Sequence, residues 1–157
     1  MDREILEAIR QMLTARKVLC LAATIDGEPS ASLLPFAALP DFGGVLVQAS
    51  TLAKHSRALQ DGARVGVLLH EPDIEDVDPL QVARLSVQAT VELVERETPA
   101  FDEASRVFVE RLPNAEMTLD LADFSLYRLR FGRGRYVAGF AQAYNVGPDT
   151  FEDVARL

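Results

Sequence analysis

The stretch RLSVQATVELV, residues 84–94, carries the clearest strand signal in the chain. Leu85, Val87, Ala89, Val91 and Leu93 alternate in it with Arg84, Ser86, Gln88, Thr90 and Glu92. Successive side chains of an extended chain point to opposite faces, so a period of two describes a strand with one face in a core. On either side of it, RVGVLLH (64–70) and FSLYRLRF (124–131) read as further strands. Towards the N-terminus lie KVLCLAATI (17–25), SASLLPF (30–36) and VLVQAS (45–50). The first of these is too uniformly apolar to be half-exposed and reads as a strand covered on both faces. Asp26-Gly27 between the first two is a hairpin-turn pair.

Helical spacing is confined to three places. Ile5, Leu6, Ile9, Met12 and Leu13 form one apolar stripe, with Asp2 placed to cap it. Residues 51–61 read as a short helix ended by Gly62. From Thr98 a third helix has Pro99 in its first turn and Phe101, Ala104, Phe108 and Leu112 on one face. Residues 132–148, rich in glycine, read as a tail that ends the core. Six strands joined largely by hairpins, with too few helices for parallel crossovers, predict a mainly β protein, an antiparallel barrel with flanking helices. The length of 157 residues fits a single domain, 1–157.

Composition narrows the function. With 48% apolar residues the chain can build a core. The net charge of −8 argues against nucleic acid and against anionic membranes, both of which need a basic face. No apolar run reaches the length of a membrane span, and the amphipathic, acidic start is unlike a signal peptide. The single cysteine, Cys20, reads as a buried inert thiol and fits a reducing compartment, so a cytoplasmic protein is expected. His55 and His70 lie on different elements and no metal site is expected. Neither nucleotide-loop fingerprint occurs.

Two segments stand apart. QASTLAKHSRAL (48–59) gathers one of two lysines and one of two histidines between hydroxyl residues. A helix capped by Ser50 or Thr51 would offer free N–H groups and a positive dipole end to an anion, with Lys54, His55 and Ser56 beside it. An ordinary capped surface helix is the plainer alternative. In PSASLLPF (29–36), Ser30 and Ser32 interrupt an apolar strand, and Pro35 removes a backbone donor. That pattern describes an edge strand or bulge, or a strand along which a flat ligand approaches closely.

In order and spacing, ATIDGEPSASLLPF, GVLVQASTLAKHSRALQDGARVGVLL, RLSVQATVELV and RGRYVAGFAQAY resemble the pyridoxamine 5′-phosphate oxidase-like FMN-binding split barrels. The resemblance is greatest to the branch that includes haem-utilisation proteins. It implies a six-stranded antiparallel split barrel that dimerises and holds FMN at the dimer interface. The positions matching the family's flavin site are Ser32, Leu33 and Leu34 along the ring, and Gln48, Ser50, Lys54, His55 and Ser56 at the ribityl and phosphate groups. Arg84 matches a further basic position. Ala58 replaces a frequent Asn of the branch, Ser32 replaces a phosphate-binding Arg, and the C-terminal segment lacks a histidine for haem iron. The resemblance therefore implies an FMN-dependent oxidoreductase acting on a small molecule as a homodimer, without haem breakdown. A flavin or haem storage protein is the alternative.

Overall fold

A computed structural model describes residues 1–157. Helix α1 spans Arg3–Ala15 and buries Leu6, Ile9, Met12 and Leu13, the stripe that its spacing predicts. Six strands follow: β1 Val18–Ile25, β2 Glu28–Ala38, β3 Gly44–Ser50, β4 Arg64–His70, β5 Arg84–Val94 and β6 Phe124–Gly139. They run in the order β3-β2-β1-β4-β5-β6, and pairing of β3 with β6 closes the antiparallel barrel. The β1–β2 hairpin turns at Asp26 and Gly27, with φ of 53° and 79°. Two consecutive positive φ values are what a tight right-twisted hairpin demands, and Asp-Gly adopts them cheaply. No helix is long and apolar enough to cross a membrane.

The strand RLSVQATVELV forms as its alternation requires. Leu85, Val87, Ala89 and Val91 enter the barrel, but Leu93 is exposed and Val94 is buried instead. At that end the strand leaves the barrel interior, and its outer-face residue is covered by a helix. This is α2, Pro99–Arg111, capped by the Thr98 hydroxyl, which accepts from Phe101 N–H at 3.2 Å. Ala104 and Phe108 of α2 press on Leu46, Val94 and Leu126, making a second core outside the barrel. The two-sided burial of β3 is thus met within one chain: Val45 and Val47 inside, Leu46 beneath α2.

Three expectations are corrected. Residues 51–61 form no α-helix; a tight turn leads into one 3-10 segment, Lys54–Ala58. The hydroxyl groups of the stretch compete with helical backbone bonding. Ser50 Oγ takes the Leu52 N–H at 3.2 Å, and Ser56 Oγ donates to Ala53 O at 2.7 Å. Second, the glycine-rich tail is structured. Strand β7, Gln142–Val146, pairs onto β6, and helix α4, Pro148–Ala155, returns Phe151 and Val154 to the main core. Third, Cys20 is half-exposed, because the outer face of β1 lies uncovered beyond the reach of α2.

Candidate functional site

The site grows from a missing hydrogen bond. Phe36 N–H donates to Lys17 O on the β1 side, so the backbone nitrogen of Pro35 faces β3 and has no hydrogen to offer. The β2–β3 ladder accordingly runs only from Phe36↔Val47 to Ala38↔Val45. Beyond Pro35 the two strands are free to separate, and α2 has ended. The gap is a cavity of about 560 Å³ on the outer face of the sheet. Leu33, Leu34 and Pro35 line it from β2, Phe108 of α2 and the capping Leu112 from the helix, and Phe124 from β6.

Its polar groups are few. Gln48 Oε1 meets Thr118 Oγ1 at 2.8 Å, which leaves the buried Nε2 without a partner at the cavity wall. Thr118 Oγ1 also lies 2.9 Å from Ala115 O, and one hydroxyl proton serves only one of these two acceptors. Either way, one end of the Gln48 amide is left to a ligand. Ser50 Oγ donates to Asp123 Oδ2 at 2.8 Å. His55 reaches the cavity from the 3-10 segment, and burial pushes its pKa below the ordinary 6.5, so the imidazole is neutral at pH 7.

Of the residues singled out from sequence, Leu33, Leu34, Gln48, Ser50 and His55 line this one cavity. Lys54 and Ser56 do not; Lys54 is exposed, and the Ser56 hydroxyl is held by Ala53 O. Ser32 pairs with Leu21 and shares its inward orientation, on the opposite side of the sheet from Leu33. Phe108, Leu112, Thr118 and Phe124 were not expected here. The i, i+4 pair Phe108 and Leu112 carries a signal, but for core packing, and Phe108 does both.

Arg84 belongs to the same face but lies far across it. Extending the β2–β3 register by one pair sets Gln48 beside Pro35, and extending the β1–β4 register by two sets Val18 beside His70, while Pro35 pairs with Val18 and His70 with Arg84. A single row thus crosses five strands from Gln48 to Arg84, four strand spacings or about 19 Å along the sheet. The next row holds Leu33, Cys20, Leu68 and Ser86, then Arg135 on β6. The outer face is therefore an apolar strip, Val18, Cys20, Leu33 and Leu68, with the cavity at one side and His70, Arg84 and Arg135 at the other. His70 Nδ1 lies 2.7 Å from Glu71 O; a carbonyl only accepts, so Nδ1–H is the donor.

An FMN phosphate does not fit this cavity within one chain. No cation lines it, His55 is neutral, the Asp123 carboxylate stands behind Ser50, and Arg57 is paired with Asp26. The expected helix N-terminus is absent as well. The apolar walls and the free Gln48 amide do suit a flat conjugated ring.

Compared with known proteins, residues 5–138 match the family model described as pyridoxamine 5′-phosphate oxidase. HutZ of Vibrio cholerae, named a haem oxygenase, is 32% identical over 152 residues, 95% of this chain and 85% of that protein. A crystal structure of HutZ, named there the haem storage protein of Vibrio cholerae, superposes with a TM-score of 0.71 at 28% identity, over 84% of this chain and 91% of that one. A haem-binding protein from Mycobacterium smegmatis gives a TM-score of 0.84 at 25% identity, covering 98% of this chain but only 62% of its own, so the present chain spans less than two thirds of that protein.

Proposed function

Since the chain belongs to the pyridoxamine 5′-phosphate oxidase family, we propose that it is a haem-binding member, a homodimer in which two copies complete each site. The observation that carries this reading is a partly buried imidazole, His55, at the wall of an apolar cavity. Haem is a flat apolar macrocycle whose iron takes a neutral imidazole and whose propionates need cations. The cavity supplies the first two requirements and lacks the third. The relatives named for haem oxygenation, storage and binding support the same ligand.

The dimer supplies the cations. Val18, Leu33 and Leu68 are 48%, 65% and 36% exposed along the apolar strip, a contiguous surface of the kind that marks an interface. In a twofold pair the same patch meets itself. An axis along β1, between two facing sheets, carries the His70, Arg84 and Arg135 side of one copy over the cavity of the other. Arg84, which a single chain leaves about 19 Å from Gln48, then joins the site from the partner. Helix α4 carries no histidine and is anchored by Phe151 and Val154, so it brings no donor to the cavity.

Titration of the purified dimer with hemin tests the reading. It predicts a saturable Soret shift, and at least a tenfold loss of affinity in His55→Ala, the order of a charge-free ligand contact worth about 1.4 kcal/mol. Binding unchanged by that substitution removes His55 from the site. A Soret band that persists under ascorbate fits storage; its loss fits oxygenation. The free Gln48 amide favours a second reading, FMN held as the cofactor of an oxidoreductase, for which such an amide suits the ring's polar edge. Flavin absorption in the purified protein would support it.

A further inference from the structure

We propose that Phe140 is a ligand-contacting residue supplied in trans: the tip of the β6–β7 hairpin of one copy closes over the cavity of the other. The inference rests on the two-copy site proposed above.

The tip itself breaks the local rules of its turn. Gly139 pairs with Gln142, so Phe140 and Ala141 form a two-residue loop. Such loops favour Asn, Asp or Gly, because φ is positive at one or both positions. Here Ala141 adopts φ of 62°, and Phe140, a large aromatic, is 65% exposed. Its own chain leaves most of that ring open to solvent. The loop is nonetheless held in place: Phe140 N–H donates to Gln81 Oε1 at 3.3 Å, and a Cβ on Gly139 would press on the same oxygen. A strained turn that presents an aromatic, fixed by a neighbouring side chain, departs from local preference without any gain inside the chain. Such departures concentrate at functional positions.

Position selects the occupant. Val137, two residues before Gly139, pairs with Arg84, so the hairpin tip extends from the Arg84 side of the outer face. The twofold arrangement that carries Arg84 to the partner's cavity carries Phe140 with it, towards the wall made by Phe108 and Leu112. An aromatic ring there faces the flat ligand of the partner and excludes water from it.

The test uses heterodimers purified through two different affinity tags, one subunit carrying Phe140→Ala and the other His55→Ala. Each homodimer is expected to bind hemin about tenfold more weakly than the wild type, the order of a lost aromatic contact. In the heterodimer, a trans arrangement leaves one site with both residues intact, so half of the sites recover wild-type affinity. A cis arrangement leaves no intact site and no recovery, and that result overturns the inference. The chain contains no tryptophan, which gives a second readout. Phe140→Trp places a single indole at the tip, and its fluorescence is expected to be quenched stoichiometrically by hemin. A dimer that binds hemin without quenching or recovery sinks only the role of Phe140. A monomer, or a dimer with no hemin binding, sinks the two-copy haem site itself.

Discussion

His55 takes its character from burial rather than from a neighbouring charge. Because its pKa in the folded chain lies below the ordinary 6.5, protons compete for the imidazole only in more acidic solution. Hemin affinity is therefore expected to be flat above pH 6.5 and to fall below it. The same shift acts on stability. The unfolded chain binds the proton near pH 6.5 while the folded chain resists it, so stability falls as pH drops through that value. His55→Gln should remove this slope in denaturant titrations; a slope that survives assigns it elsewhere. Asp41 acts in a lower window. Partial burial raises its pKa, but the Arg130 guanidinium and the Gly43 N–H outweigh this and hold it below 3.8. Its contribution is present above pH 3.8 and lost as pH falls through the folded value, and the pair is exposed enough to be worth about 1 kcal/mol or less. At this scale the sequence marks His55, Gln48 and Ser50 by their polarity within apolar surroundings. It hides which of the nearby hydroxyls are already bonded: Ser56 looks like a ligand group and serves the backbone instead.

Pro35 and α2 create the cavity at the level of elements. Pro35→Ala restores a donor facing β3 and lets the ladder extend. Hemin affinity should then fall several-fold while stability changes by about 1 kcal/mol or less, the scale of a proline's effect on the unfolded chain. Unchanged affinity would separate the cavity from the proline. Phe108 packs in the second core and lines the cavity, so Phe108→Ala should cost about 3–5 kcal/mol in chemical denaturation as well as weaken binding. The strands were legible because period-two alternation and Asp-Gly are local signals. The helix expected at 51–61 failed because Ser50 and Ser56 bond the turn that precedes and forms the 3-10 segment. Strand β7 and α4 went unread because glycine and alanine at 132–143 mask a hairpin. The Gly147-Pro148 pair, which opens α4, was the overlooked helix signal.

Across the whole molecule, an acidic chain of net charge −8 exposes a basic margin beside an apolar strip. The sequence reads the strip as strands covered on both faces. That is true of β3, which α2 covers, whereas β1 has no cover within the chain. A partner copy is the cover that the account assigns to it. Leu33→Glu or Leu68→Glu sets a charge within the strip and should convert the dimer to a monomer by size exclusion, with the fold retained by circular dichroism. Sedimentation velocity of the hemin-loaded protein, followed at the Soret band, tests dimer and ligand together. All bound haem absorbance is expected to move at twice the chain mass, and Leu33→Glu is expected to release it. Haem moving at the mass of one chain, bound as tightly as before, would contradict the two-copy site.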